Sequence, residues 1–189
     1  RLGFNTLRKH IKIEPELFYY ACDRLGMIVM QDMVNSGHYS FLRDTALPTL
    51  GKFRKNDRFG GGSKKRKQFF VKHSLETVRL LYNHPCILYY TIFNEGWGQF
   101  CSDAMYETIK TADSTRIIDT TSGWFFGKMS DVKSLHIYFS NKKVDKDEYR
   151  PTIVSECGGY SYEIPHHHFS RFNHYGYGNC DNEEQLTNR

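Results

Sequence analysis

The run Cys86–Phe93 (Cys-Ile-Leu-Tyr-Tyr-Thr-Ile-Phe) limits what this chain can fold into more than any other stretch. It follows a break at His84-Pro85 and stops at Asn94-Glu95. Such a run of β-branched and aromatic residues does not alternate with polar ones. It therefore reads as a strand buried on both faces, as in a parallel sheet covered by helices. Asn94 and Glu95 are poor continuations of the strand and are expected where it ends. In α/β folds the carboxyl ends of the strands are where ligands bind. Glu95 is thus a candidate functional acid, the plain alternative being a solvated loop carboxylate.

Similar units recur along the chain. Gly3 to Arg8 reads as a short strand followed by the basic residues Lys9 and His10. Glu14-Pro15-Glu16 opens a helix with Leu17, Phe18, Ala21, Cys22 and Leu25 on one face, and Gly26 stops it. Met27 to Met30 is a strand closed by Gln31-Asp32. The irregular stretch from Met33 to about Gly62 has the character of an active-site loop. A helix then places Val71, Leu75, Val78 and Tyr82 on one face, and another carries Cys101, Met105 and Ile109. Ile117 to Thr121, Leu135 to Tyr138 and Thr152 to Ser155 are further strands, the last stopped by Glu156. The tail from Gly158 to Asn182 shows no period. Strands alternating with helices argue for a parallel sheet with right-handed crossovers. Six of them end in polar residues: Arg8, Asp32, Glu95, Ser122, Tyr138 and Glu156. No glycine fingerprint follows the first strand, so the pattern fits an α/β fold of the (β/α)8 barrel type, incomplete, better than a doubly wound sheet.

The chain of 189 residues is long enough for one domain, taken as 1–189. Most of the net charge of +5 sits in Lys64-Lys65-Arg66-Lys67, read as a solvated junction before a helix. The rest is nearly balanced, so neither a nucleic-acid nor a membrane partner is expected. There is no membrane-spanning run or signal-peptide pattern, and the five cysteines lack metal-type spacing. Cys86 and Cys157 are expected as buried free thiols, and the compartment as reducing, hence cytoplasmic. The chain starts without Met and ends in an unfinished helix, Glu183 to Arg189. It is read as a segment of a longer protein.

Two glutamates at the ends of two parallel strands suit glycoside hydrolysis. That reaction needs one carboxylic acid to protonate the leaving oxygen and a second carboxylate across the anomeric carbon. Trp97 and Trp124 offer flat faces for a sugar ring, and Asn94, Asp32 and His136 offer hydrogen bonds to hydroxyls. The bland alternative is two surface acids and two core tryptophans. A metal site at His166-His167-His168, perhaps with His174, is disfavoured because adjacent histidines on an extended chain point to opposite sides. No cofactor is expected.

Four motifs in order, residues 3 to 15, 25 to 33, 82 to 98 and 151 to 160, resemble the catalytic barrel of family 2 glycoside hydrolases. That group includes β-galactosidases, β-glucuronidases and β-mannosidases. The resemblance runs from the second barrel strand to the seventh. It implies that Glu95 is the acid/base, that Asn94 holds the sugar 2-hydroxyl and that Glu156 is the nucleophile. It further implies that Tyr138 hydrogen-bonds the nucleophile and that Arg8 lies beside it. Asp32, His136 and Trp124 match less strictly as substrate contacts. Cys157 stands where the family commonly has an aromatic residue. Strands one and eight are missing from the resemblance, so the edges of strands two and seven are expected to be open, inviting dimerisation into homo-oligomers, disorder or aggregation. The resemblance implies retaining cleavage of a terminal β-glycosidic bond by the longer protein, with this segment alone expected to be inert. The alternative is a non-catalytic carbohydrate-binding barrel.

Overall fold

The structure is a computed structural model, and it describes residues 3–35, 37, 40–42, 46–47, 57, 60, 62–138, 143–167 and 176–188. Strand β1 (Thr6–Lys9) leads to helix α1 (Glu16–Leu25) and strand β2 (Ile28–Asp32). Pro15 precedes the first turn of α1, and Gly26 ends the helix in the left-handed region at φ 68°. Helix α2 (Lys64–Leu81) starts at a Ser63 cap and feeds strand β3 (Ile87–Asn94). Helix α3 (Ser102–Ala112) and strand β4 (Ile117–Ser122) complete a parallel sheet of order β1-β2-β3-β4. Strands β5 (Lys133–Ile137) and β6 (Thr152–Cys157) form a second parallel pair. This is the expected β/α barrel wall, incomplete. Among the described residues β1 and β6 each have a single strand partner, and the barrel does not close.

The β3 strand carries the core. Every residue of it is buried except Leu88, and the Phe93 ring stacks on Phe70 of α2 at 5.1 Å and meets Phe100 at 5.6 Å. Burying one such ring stabilises the fold by roughly 1.5–3 kcal/mol. That stack also sets the rotation of α2. Its buried residues are Phe70, Ser74, Thr77, Val78 and Leu81, whereas Val71 and Leu75 are only partly covered and Tyr82 is exposed. The buried face is therefore turned by about one residue from the one the apolar spacing suggested. The His84-Pro85 break is locked to the end of α1. Asp23 accepts the Cys86 N–H at 2.8 Å and lies 2.6 Å from His84 Nδ1. Burial, then the Asp23 carboxylate, pushes the Cys86 thiol up to about 12, so it stays a protonated core group.

The seam between β4 and β5 has no strand ladder, and residues 123–132, which join them, contain no helix. Asp131 takes the place of the missing ladder. Its N–H donates to Ile118 O and its carboxylate accepts Ile118 N–H, both at 2.9 Å. Tyr106 Oη and Lys110 Nζ of α3 donate to the same carboxylate at 2.6 and 2.8 Å. The tail adds a short parallel pair, β7 (Tyr160–Tyr162) with β8 (Gly178–Cys180), that its aperiodic sequence did not announce. A one-turn helix, α4 (Glu183–Thr187), follows. All five cysteines are free, and Cys157 is exposed rather than buried because β6 lies at the open edge. No helix among the described residues is long and apolar enough to cross a membrane.

Candidate active site

The end of β3 is a sharp turn. Asn94 is still in the strand, while Glu95 (φ 51°) and Gly96 (φ 72°) both adopt positive φ. That costs a non-glycine residue on the order of 1–3 kcal/mol and is tolerated where surrounding contacts fix it. Those contacts are on the next strands: Glu95 N–H donates to Ser122 O at 2.9 Å, and Glu95 Oε1 lies 2.9 Å from His136 Nδ1. Gly96 is required sterically as well, since a Cβ there would lie 2.2 Å from the Phe125 ring.

Glu156 ends β6 on the far side of the opening. Tyr138 donates to its Oε2 and Arg8 to its Oε1, so donors reach both oxygens. Arg8 also donates to Ser155 O at 3.4 Å and to Asn94 Oδ1 at 2.9 Å. Its other contacts are with Asp32, Nε to Oδ1 at 3.0 Å and Nη2 to Oδ2 at 2.9 Å. Burial alone would lower the Arg8 pKa, but Asp32 and then Glu156 outweigh it and the guanidinium is held charged. Nearby Asp119 is fully buried and accepts from Tyr89 Oη at 2.8 Å, and burial pushes its carboxyl upward.

The two glutamates face each other: a carboxylate oxygen of Glu95, one of Glu156 and a ring nitrogen of His136 all lie within 4.8 Å of one another. Arg8, Asn94, Tyr138 and His136 are part of the same cluster. Asp32 is buried, with its oxygens engaged by Arg8 and the Ile11 N–H, so it supports the arginine rather than reaching toward a hydroxyl. His136 is likewise not free for a hydroxyl, because its side chain is fully buried and both ring nitrogens are occupied. Trp97 is half-buried in the turn after β3, and Trp124 packs edge-on against His136 at 5.6 Å. The surface hollow lined by residues 144–152 includes none of these side chains.

Several neighbours were not expected. His10 Nε2 lies 3.1 Å from Asn94 Nδ2 and 3.9 Å from Glu156 Oε1. Ser122 Oγ lies 2.7 Å from His136 Nε2 and 3.2 Å from Ser155 Oγ. Tyr177, from the aperiodic tail, stacks on Tyr138 at 4.1 Å. Position at a strand end was the only signal for Ser122, and Tyr177 carried none. Asp57, a described residue of the long loop after β2, accepts from Gln99 Nε2 at 2.9 Å and from Ser102 N at 3.0 Å, at the start of α3. His166 and His167 are exposed and belong to neither group of potential metal ligands found among the described residues, Asp23–His84–Cys86 and Glu95–His136–Glu156. His168 and His174 lie outside the described residues.

Residues 1–159 match the family described as glycosyl hydrolases family 2, TIM barrel domain. The chain belongs to this family. Curated relatives of the family 2 chain include a beta-galactosidase of Aeromonas hydrophila subsp. hydrophila, 29% identical over 125 residues, which are 65% of this chain and 11% of that protein. Another is the beta-galactosidase large subunit of Lactobacillus helveticus, 26% identical over 133 residues, 68% of this chain and 20% of that protein. The family 2 chain thus spans a fifth or less of the length of these relatives. Among solved structures, a GH2 beta-galacturonidase from Eisenbergiella tayi superposes with a TM-score of 0.55 at 21% identity, covering 87% of this chain and 31% of that one. A Bacteroides uniformis beta-glucuronidase gives 0.59 at 17% identity, covering 84% and 21%. At these identities the structures attest the shared barrel fold.

Proposed function

We propose that this chain carries the paired carboxylates of a retaining β-glycosidase, with Glu156 as nucleophile and Glu95 as acid/base. The observation that carries the reading is the approach of the two carboxylates to within 4.8 Å from the ends of β3 and β6. Retaining enzymes hold their carboxyl groups about 5–5.5 Å apart, whereas inverting enzymes need about 6.5 Å or more to admit a water. Ionised Glu156, held by Arg8 and Tyr138, attacks the anomeric carbon as Glu95 gives its proton to the leaving oxygen. Glu95 then takes a proton from water, which displaces Glu156 from the sugar. Asn94, held by Arg8, is a candidate contact for the sugar, as are Trp97 and Trp124. The substrate class is a terminal β-linked hexose or hexuronic acid, in keeping with relatives named beta-galactosidase and structures named beta-glucuronidase and beta-galacturonidase.

The test is turnover of aryl β-galactosides, β-glucuronides and β-galacturonides by the full-length protein and its Glu156→Ala variant. Loss of the nucleophile is expected to lower turnover on the order of 10⁴-fold or more. Equal turnover by the two proteins would remove the proposal. Sugar binding without any hydrolysis by the wild type would replace it with the carbohydrate-binding reading.

A further inference from the structure

The imidazole of His136 stands between the two acids. Nδ1 lies 2.9 Å from Glu95 Oε1, and Nε2 lies 2.7 Å from Ser122 Oγ and 3.4 Å from Glu156 Oε1. No part of the side chain reaches solvent. The slot around it is built by the backbone and by aromatic edges. Gly123 has φ 89°, and a Cβ there would lie 2.6 Å from the ring's Nδ1. The rings of Trp124 and Tyr138 approach at 5.6 and 6.1 Å, both edge-on. The ring cannot turn over without displacing one of these neighbours.

A neutral imidazole has one N–H and one acceptor nitrogen. In the tautomer in which the Ser122 hydroxyl donates to Nε2, the N–H is on Nδ1, aimed at Glu95 Oε1. A carboxyl oxygen that accepts this N–H cannot hold its own proton along the same line. We propose that His136 is a positioning residue that decides which oxygen of Glu95 carries the catalytic proton. Oε1 is anchored by the Nδ1–H, and Oε2 gives the proton to the leaving oxygen and later takes one from water. His136 exchanges no atom in either step. The proposal rests on the reading of Glu95 as acid/base.

The test measures kcat/KM, which reports the first displacement alone, for the full-length protein on β-glycosides of graded leaving groups. A dinitrophenyl leaving group departs with little protonation, whereas a phenyl or methyl group needs the acid. In His136→Ala, kcat/KM is expected to stay within about threefold of wild type for the dinitrophenyl glycoside and to fall about 10–100-fold for the phenyl and methyl glycosides, the scale of impaired acid catalysis. His136→Asn, whose amide N–H can stand in for Nδ1–H, is expected to recover most of the loss. An equal fall on every substrate, or no change on any, would overturn the assignment. If neither variant folds, imidazole ¹⁵N shifts of the wild type decide: a proton on Nδ1 supports the proposal, and a proton on Nε2 alone overturns it. A folded wild type inactive on all the glycosides would sink the glycosidase reading itself. An active wild type with flat leaving-group dependence in the variants would sink only the role of His136.

Discussion

The two parts of the barrel wall are built differently. From β1 to β4, helices α1, α2 and α3 connect successive strands, and β3 and β4 are almost wholly buried. In the β5–β6 pair most residues are only half-buried, Val154 is exposed, and no helix connects β4 to β5. Order in the first part comes from apolar surface removed from water. Order in the second depends on polar contacts: Asp131 across the seam, and Arg8, Tyr138 and His136 across the opening. Glu95 belongs to the packed part and Glu156 to the thin one. The proposed chemistry therefore sits where the two meet, and the side chains of the site are also the ties between them.

The contrast can be broken most forcefully in the packed part. Phe93→Ala is expected to lower unfolding free energy by about 3–5 kcal/mol in urea titrations, since it opens a cavity against Phe70 and Phe100. A loss below about 1 kcal/mol would mean that the packed part is not the source of stability. Tyr138→Phe, in the thin part, should lower unfolding free energy by less than Phe93→Ala does, about 1.5–3 kcal/mol at most, because it removes one hydrogen bond across the opening. It should cut turnover by about 10–100-fold, because a hydrogen bond to a charged oxygen is worth about 1.5–3 kcal/mol.

Asp131→Asn tests the seam and is expected to cost about 1–3 kcal/mol of stability near neutral pH. Burial alone would raise the Asp131 carboxyl, but Lys110, Tyr106 and the Ile118 N–H outweigh it and hold the pKa below the usual carboxylate range. A group depressed in the folded state contributes stability above its unfolded pKa, about 3.9, and loses it as pH falls through the folded value. The deficit of Asp131→Asn relative to wild type should therefore shrink as urea midpoints are compared from pH 6 down to pH 3. A constant deficit would show that the charge of Asp131 does not hold the seam.

Much of the architecture was legible beforehand. All six strands were expected close to where they lie, because an apolar run, a proline or glycine break and a polar stop are local signals. The two ends of α1 follow the same logic at Pro15 and Gly26. The rotation of α2 was misread because Val71 and Leu75 have the right spacing, yet the Phe70–Phe93 stack settled which face turns inward. Asp32 and His136 were expected to face a sugar, and both are consumed by neighbours instead. Cys157 was placed in the core because its run looks apolar, although its strand lies at an edge.

The order of the strands and the acids at their tips were determined by the sequence alone, since period, breakers and propensity act over a few neighbouring residues. Which side chain meets which was decided by the tertiary structure. Arg8 reaches Glu156 across 148 positions, and His136 reaches Glu95 across 41. Such pairings depend on strand register, where a slip of one residue turns every side chain to the opposite face. Residue spacing along the chain contains no record of that register, and only the packed wall enforces it.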